Sequence, residues 1–257
     1  MVLLIDCGNT RIKWALVRGM GWLASGVLPV AQAGKLSQHL AGHCDSSSGS
    51  GQALPCTDLH DIEQVWVSNV AGEEAARHIR EIVVDSGVKL HFVVARQEQC
   101  GVRNGYSQAG QLGSDRWAAL IAAWHLVRGE CLVVSCGTAT TIDTLSGQGK
   151  FAGGLILPGV ELMQSSLGAA AARLKTGAGV YMPFPDNTAD AMFSGAIQAS
   201  CGAIQRQHAL LARDSAPVVL SGGAGRVLQE HLGMPLRIVD DLVLQGLLLI
   251  AQEASEA

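Results

Sequence analysis

CLVVSCGTATTID at residues 131–143 and MVLLIDCGNTRIKW at residues 1–14 share one pattern. In each stretch a short apolar run ends in a Cys-Gly turn, and small polar residues and a second strand-like run follow. Such a pattern predicts a β-hairpin whose first strand is buried. The residue before the Cys-Gly pair is Asp6 in one stretch and Ser135 in the other. The two related hairpins therefore differ at a position where an acid is present or missing.

The segments that follow the two hairpins also agree. Each hairpin is followed by a third strand and then by alternating strand and helix patterns, and a helix that begins near Ser114 connects the two halves. This repeated order predicts an internal duplication. We therefore expect two domains, residues 1–113 and 114–257, with an apolar terminal helix that is able to pack back on the first domain.

Composition and charge narrow the class of protein. The chain has 257 residues, of which 48% are hydrophobic, and this suffices for one large domain or two modest ones. The net charge of −4 and the lack of a long basic block argue against a nucleic-acid partner. Asp6 interrupts the N-terminal apolar run, which is too short for a signal peptide or a membrane span.

The cysteines indicate a reducing compartment, and hence a cytoplasmic location. The seven cysteines are scattered singly, without a C-x-x-C pair. Two histidines and two cysteines flank a Ser/Gly-rich stretch: His43, Cys44, Cys56 and His60. They lack the paired spacing of structural zinc ligands, so a solvated loop over residues 42–58 is the preferred interpretation.

Both hairpin turns suit phosphate binding. Backbone N–H groups and a hydroxyl can hold phosphate oxygens, and an acid at the end of a strand can hold Mg²⁺. The candidates in the first hairpin are Asp6, Gly8, Asn9, Thr10 and Lys13. A third turn, at residues 221–225, has glycines suited to the close approach of a nucleoside. One such turn is weak evidence, because ordinary hairpins also need glycine, but three in a duplicated order indicate a nucleotide site.

This arrangement resembles the acetate and sugar kinase, Hsp70 and actin superfamily, in which two domains clamp ATP. Within it, the sequence resembles the type III pantothenate kinases over nearly its whole length. The matching segments are IDCGNTRIKWAL, NGYSQAGQLGSDRW, CGTATTID, GGLILPGVELMQSSL, NTADAMFSGA and LSGGAG. The fold implied by the resemblance is α/β, with duplicated RNase-H-like (actin-like ATPase) domains, mixed five-stranded sheets and an inter-domain nucleotide cleft.

The resemblance also implies roles for individual residues. Asp115 would accept the proton of the primary hydroxyl of pantothenate, and Arg116 would bind the substrate with the help of its neighbours. The implied substrate set is Tyr106, Gly113, Ser114, Asp115, Arg116 and Thr188. The implied ATP set is Asp6, Cys7, Gly8, Asn9, Thr10, Arg11, Ile12, Lys13, Gly137, Thr138, Gly222 and Gly223, with Asp6 as a ligand of Mg²⁺. Without the resemblance, Ser114 and Asp115 simply fit a helix start, with Ser114 as the N-cap.

Two positions depart from the family pattern. Ala109 stands where a proline is common, which loosens that loop without removing a functional group. Ser135 stands where the family has an Asp associated with a monovalent cation, potassium or ammonium. Because serine offers one neutral oxygen, we expect altered or absent cation dependence. Asp143 shares a strand face with Thr141 and is left out of the catalytic set.

The resemblance implies ATP-dependent phosphorylation of pantothenate to 4′-phosphopantothenate, the first step of coenzyme A biosynthesis, by a homodimer. Two alternatives stay open. One is a non-catalytic regulator on the same scaffold, since family members have also been described as accessory factors for virulence-gene transcription. The other is a kinase for another small alcohol. Asp115 and Arg116 favour the pantothenate kinase over the regulator, because a regulator has no physical need of both.

Overall fold

Each of the two hairpins forms the centre of its own five-stranded sheet. A computed structural model of the chain describes residues 1–42, 62–84, 87–170 and 178–256. Nearly all of the loop predicted over residues 42–58 lies outside this described part, as do His43, Cys44, Cys56 and His60.

The first sheet has the strand order β3-β2-β1-β4-β5. Its strands are β1 (Val2–Cys7), β2 (Arg11–Arg18), β3 (Gly21–Pro29), β4 (Gln64–Asn69) and β5 (Lys89–Phe92). The first three strands pair antiparallel as hairpins, whereas β1, β4 and β5 pair in parallel. β1 is almost continuously apolar because a central strand is covered on both faces.

The second sheet repeats this order as β10-β9-β8-β11-β12. Its strands are β8 (Cys131–Cys136), β9 (Ala139–Leu145), β10 (Phe151–Pro158), β11 (Val218–Ser221) and β12 (Leu236–Ile238). The pairing directions match those of the first sheet, strand for strand. The predicted α/β class with duplicated, mixed five-stranded sheets is therefore confirmed.

Helices follow the strands in both halves of the chain. The described helices are α1 (Leu36–Gly42), α2 (Glu73–Val83), α3 (Ser114–Val127), α4 (Val160–Ala170), α5 (Thr188–His208), α6 (Gly225–Gln229) and α7 (Leu242–Glu256). A small ribbon of β6 (Glu98–Gln99) and β7 (Val102–Arg103) precedes α3. In the described ranges, none of the helices has the length and apolar character needed to cross a bilayer.

Spatial contacts divide the chain into two compact units. The first unit comprises residues 1–100, 108–122 and 243–257, and the second comprises residues 101–107 and 123–242. These limits follow contacts, whereas the domain boundary expected between residues 113 and 114 follows the repeated order of elements. That boundary stays a prediction.

Each unit has its own hydrophobic core. In the first, Ile5 and Ile12 of the hairpin pack in one cluster with Ile79 of α2. In the second, Val134 of β8 packs in one cluster with Ile197 of α5. Full burial of each such side chain stabilises the fold by about 1.5–3 kcal/mol. The strand ends that carry the two Cys-Gly turns are therefore anchored in rigid sheets.

Two glycines allow unusually close packing in the first unit. Gly26 lies opposite the fully buried Trp14, and an added Cβ there would lie 2.7 Å from the indole ring. Gly246 places α7 on α3, because an added Cβ would lie 1.9 Å from the carbonyl oxygen of Ala118. Any larger residue at position 246 would push the two helices apart.

Candidate functional site

The first hairpin carries a row of three polar residues across its sheet. Asp6 on β1 lies opposite Lys13 on β2 and opposite Ser68 on β4. Directly opposed residues lie roughly 5 Å apart and point to the same face of the sheet. We call Lys13, Asp6 and Ser68 the first row. It places a base, an acid and a hydroxyl side by side at the end of β1.

The turn beyond the first row is open to solvent. The Gly8 N–H donates to the carbonyl oxygen of Arg11 at 3.1 Å and closes the turn. Asn9, Thr10 and Arg11 are exposed, whereas Ile12 is fully buried. Amide and hydroxyl groups that are exposed next to a glycine suit the oxygens of a phosphate. The Ile12 side chain belongs to the core, so its predicted ATP contact falls to the backbone.

The second hairpin carries an equivalent row. Ser135 on β8 lies opposite Thr141 on β9 and opposite Ser221 on β11. We call Thr141, Ser135 and Ser221 the second row. Oγ1 of Thr141 is buried and has no hydrogen-bond partner in the part of the chain that the structure describes. Three neutral hydroxyls therefore occupy the places that hold two charged groups and one hydroxyl in the first row.

The turn of the second hairpin packs against the glycine-rich turn after β11. The Gly137 N–H donates to the carbonyl oxygen of Ala139 at 3.0 Å. Gly222 has a φ of +96°, and an added Cβ would lie 2.4 Å from the carbonyl oxygen of Cys136. The Ala224 N–H donates to that same oxygen at 3.3 Å. Gly137 and Gly222, both predicted to bind ATP, therefore lie together.

Thr138 and Gly223 complete this cluster of turns. Both residues are exposed. The carbonyl oxygen of Thr138 accepts a hydrogen bond from the Gly159 N–H at 2.9 Å, which ties the turn to the end of β10. The Thr138 hydroxyl is thus carried by a backbone that is fixed on both sides, as a phosphate ligand requires.

The cysteines of the two Cys-Gly turns face the interior. Cys7 and Cys136 are both buried. Burial raises the pKa of the Cys7 thiol from 9.0 to about 11, and the charge of Asp6 adds to the shift. Burial also raises the pKa of the Cys136 thiol to about 12, with a smaller contribution from Cys201. Both thiols are neutral at physiological pH, so they pack as small apolar groups and are not nucleophiles.

α3 begins at the segment predicted to bind the substrate. The carbonyl oxygen of Gly113 accepts from the Trp117 N–H at 2.9 Å, so Gly113 occupies the N-cap position. The N-cap expected at Ser114 is therefore wrong, because the Ser114 hydroxyl shares a hydrogen bond with Ser68 instead, at 2.9 Å. Oδ1 of Asp115 accepts from the Arg116 N–H at 2.8 Å. A carboxylate here is stabilised by the positive end of the helix dipole.

The first row and the start of α3 lie together in the first unit. Ser68 neighbours Asp6 in the sheet and is hydrogen-bonded to Ser114. The helix that carries Asp115 therefore starts on the same face of the sheet as Asp6. Arg116 is only 6% exposed, so its guanidinium is largely enclosed by protein. Asp6 and Asp115 are thus gathered at one end of this sheet, and the sheltered Arg116 follows Asp115 directly in the chain.

Tyr106 and Thr188 belong to the second unit, whereas Asp115 belongs to the first. The Tyr106 N–H donates to Oδ1 of Asn104 at 3.0 Å, and its ring centroid lies 5.1 Å from that of Phe151. Thr188 is the exposed first residue of α5. The contacts of Tyr106 orient its ring, and the exposed Thr188 side chain is accessible to a ligand.

The described ranges contain no group of three or more His, Cys, Asp and Glu side chains that could hold a metal ion. Asp6 instead offers a single carboxylate at a turn with exposed donors. Such a set fits Mg²⁺, which keeps several waters and is held by one or two carboxylates plus substrate phosphates.

Sequence reasoning did not place Ser68 beside Asp6, nor Thr141 and Ser221 beside Ser135. Ser68 and Ser221 each lie at the end of an apolar strand that runs into a turn, and Thr141 lies near the start of β9, just after a turn. A polar residue at the end of a buried strand was the available signal. Which of these residues are neighbours depends on the strand register, which the sequence does not state.

Known proteins resemble this chain over its full length. The profile of the type III pantothenate kinase family matches residues 2–209. The type III pantothenate kinase of Nitrosospira multiformis is 43% identical, with 100% of this chain and 93% of the relative covered. That of Aromatoleum aromaticum is also 43% identical, with 100% of both chains covered.

Solved structures share the fold at lower identity. A Campylobacter jejuni protein provisionally described as a Baf family transcriptional activator has a TM-score of 0.60 and 21% identity, covering 99% of this chain and 100% of that one. The ethanolamine utilization protein EutJ from Carboxydothermus hydrogenoformans has a TM-score of 0.56 and 15% identity, covering 98% and 89%. These likenesses support the fold alone. From the family profile and the full-length relatives, the chain belongs to the type III pantothenate kinase family.

Proposed function

We propose that this protein transfers the γ-phosphoryl group of ATP to the primary hydroxyl of pantothenate. The product is 4′-phosphopantothenate, and the reaction is the first step of coenzyme A biosynthesis. One observation carries the proposal. A chain 43% identical to full-length type III pantothenate kinases keeps every residue expected of the family's site except the acid at position 135.

Asp115 is the proposed proton acceptor. Phosphoryl transfer passes through a loose transition state, so it needs a well-placed carboxylate more than a strong base. The hydrogen bond from the Arg116 N–H orients Oδ1 of Asp115 and leaves its other oxygen to receive the substrate proton. Arg116, which is largely sheltered from water, is suited to bind the carboxylate of pantothenate through two parallel N–H···O bonds.

A kinase of this family uses ATP and a divalent metal ion. We assign the phosphates to the two hairpin turns, at residues 8–13 and 137–138, and the nucleoside to Gly222 and Gly223. Asp6 is the proposed Mg²⁺ ligand, directly or through water. When bound, the metal neutralises charge on the phosphates, and Lys13 beside Asp6 adds a second positive charge.

The second row leads us to propose a change in cation dependence. The family resemblance implies potassium or ammonium near position 135, where a carboxylate would hold it. Ser135 and its neighbours Thr141 and Ser221 offer only neutral oxygens. Neutral oxygens bind a monovalent cation less strongly than a carboxylate does. We therefore expect turnover in sodium, potassium and ammonium buffers alike.

The test is an ATP-dependent phosphorylation assay with pantothenate in those three buffers. The wild-type protein should turn over in each, and Asp115→Asn should lower kcat by about 10²–10⁴-fold, the usual share of a general base. Asp214→Asn is the matched control, since Asp214 is an exposed carboxylate of the second unit and should keep full activity. A protein that binds ATP but never phosphorylates pantothenate would contradict the proposal.

The same assay separates the two alternatives. A regulator on this scaffold would show no turnover with any alcohol. A kinase for another alcohol would phosphorylate one member of a panel of small alcohols faster than it phosphorylates pantothenate. Ser135 is the one feature that favours a regulator, and the presence of both Asp115 and Arg116 argues against it.

A homodimer and a cytoplasmic location complete the proposal. Phe184, Val180 and Ile156 are large apolar residues of the second unit with exposed fractions of 93%, 66% and 65%. The resemblance to the family implies a homodimer, and such exposed apolar side chains are available for contact with a second chain. Light scattering should give twice the mass of the chain. The described cysteines are all free thiols, in keeping with a reducing compartment.

A further inference from the structure

We infer that Ser68 is a positioning residue that holds Asp115 in place for proton transfer. The inference rests on the proposed function, because it concerns the same reaction. Ser68 is fully buried, so its side chain offers no surface to a substrate. Any effect of Ser68 on the reaction must therefore pass through the group that it contacts.

That group is the hydroxyl of Ser114. The two Oγ atoms lie 2.9 Å apart and share a buried hydrogen bond between residues 46 positions apart in sequence. Ser114 is only 7% exposed. Since neither hydroxyl has ready access to water, the loss of one leaves the other without a partner. The bond therefore fixes the start of α3 to the end of β4.

The position of Ser68 in the sheet gives this bond a functional meaning. Ser68 is the direct neighbour of Asp6, the proposed metal ligand, across the parallel pair of β1 and β4. Asp115 follows Ser114 immediately in the chain. The bond between Ser68 and Ser114 therefore sets the distance between the end of the sheet that carries Asp6 and the turn of α3 that carries Asp115.

Gly113 leaves the room that the Asp115 carboxylate occupies. An added Cβ at position 113 would lie 2.6 Å from Oδ1 of Asp115 and 3.8 Å from Cγ1 of Val70. The carboxylate thus occupies the space that a side chain at position 113 would need. The N–H of Arg116 orients the carboxylate in this space, and the bond between Ser68 and Ser114 anchors the turn of α3 that carries it.

The experiment compares Ser68→Ala with Ser200→Ala. Ser200 is also fully buried, but its hydroxyl donates to the carbonyl oxygen of Ala196 at 2.9 Å within one helix of the second unit. Ser68→Ala should lower kcat by roughly 10- to 100-fold, because a misplacement of about 1 Å can cost that much. The KM for ATP should stay unchanged, and Ser200→Ala should leave both constants unchanged. Melting temperatures of the two variants show whether their losses of stability match.

A double-mutant cycle with Ser114→Ala supplies the second readout. If the two serines act through one bond, Ser68→Ala combined with Ser114→Ala should lower kcat no further than one substitution alone. Independent, multiplicative losses would overturn the inference. If Ser68→Ala does not fold, Ser114→Ala breaks the same bond from the helix side, and an unchanged kcat there would overturn it as well.

The proposed function and this inference fail in different ways. Wild-type protein without any turnover of pantothenate would overturn the proposed function and, with it, the role of Ser68. Wild-type turnover together with equal kcat values for Ser68→Ala and Ser200→Ala would overturn the role of Ser68 alone.

Discussion

The two rows of the duplicated sheets have the same strand pairing, but the first row carries charged side chains and the second carries only neutral hydroxyls. In the first row, Asp6 lies between Lys13 and a serine of the parallel neighbour. In the second row, Ser135 lies between Thr141 and a serine of its parallel neighbour. Even the next residues agree, because the carbonyl oxygens of both turn cysteines accept an N–H from the segment after the parallel strand.

This difference shows that the two halves of a duplicated fold can share a backbone and still carry different functional groups. The backbone of each hairpin is set by apolar runs and glycine turns, which both halves retain. The side chains at the strand ends do not affect those runs, so they are free to change. In this chain the charged groups are concentrated in the first row, beside the helix that carries Asp115, and the second row keeps only neutral hydroxyls.

The largest effect is expected when the negative charge of Asp6 is removed from the first row. Asp6→Asn should lower kcat/KM for ATP by about 10²–10³-fold, the usual loss when one electrostatic contact to a reacting group is removed. Ser135→Ala in the second row should lower kcat/KM for ATP by at most about tenfold, because it removes one neutral hydrogen-bonding group. Titration of MgATP at fixed pantothenate measures both. If both variants lost kcat/KM to the same extent, the two rows would be equivalent in function, contrary to this prediction.

The next effect concerns the glycines that follow the parallel strands. Gly72 after β4 and Gly222 after β11 have φ values of +93° and +96°, but an added Cβ meets nothing within 4 Å at Gly72 and the backbone of Cys136 at Gly222. Gly72→Ala should cost about 1–2 kcal/mol for the backbone conformation alone. Gly222→Ala should cost about 1–3 kcal/mol more, since the turns must separate.

Urea unfolding of the two glycine variants measures this difference. The Gly222→Ala variant should also bind ATP more weakly, whereas the Gly72→Ala variant should keep its affinity. A loss of stability that is the same in both would mean that the contact between Gly222 and the second hairpin is not tight.

A smaller effect tests the missing acid directly. Ser135→Asp gives the second row the negative charge that the first row has. The initial rate in potassium should then exceed that in sodium by about tenfold, because an interaction with a charged group contributes about 1.5 kcal/mol or more. Initial rates in sodium and potassium buffers measure the ratio. Ser221→Asp, one strand away in the same row, is the matched control, and an equal potassium effect there would show that the position of the acid is unimportant.

The smallest effect concerns the thiols behind the two rows. The raised pKa values of Cys7, about 11, and Cys136, about 12, mean that the folded state holds each proton more tightly than the unfolded state, whose thiols titrate near 9. The stability that they contribute is fully present below pH 9 and is lost as the pH rises through these values. Melting temperatures should therefore fall between pH 9 and 12, and less steeply in Cys7→Ala. A curve for Cys7→Ala parallel to that of the wild type would contradict this.

The sequence predicted most of the fold because its signals are local. The apolar runs before Cys7 and Cys136 and the repeated order after them identified both sheets. The residues alone predicted a nucleotide site with its candidates in the first hairpin, whereas the substrate residues came from the resemblance. The rows, the bond between Ser68 and Ser114, and the contact of Gly246 with α3 could not be predicted, because each depends on register or packing between distant segments. The N-cap of α3 was misplaced for the same reason, since Ser114 is engaged by a residue 46 positions away.

The contact between Gly246 and Ala118 has a consequence for the order in which the protein matures. The first unit needs residues 243–256 against α3, yet the ribosome makes these residues after the whole of the second unit. Domains generally fold in the order of synthesis. Here the half that is made first is completed last, and the helix bearing Asp115 gains its final support only when α7 emerges. A chain interrupted before α7 would therefore contain all the proposed catalytic residues on an unfinished support.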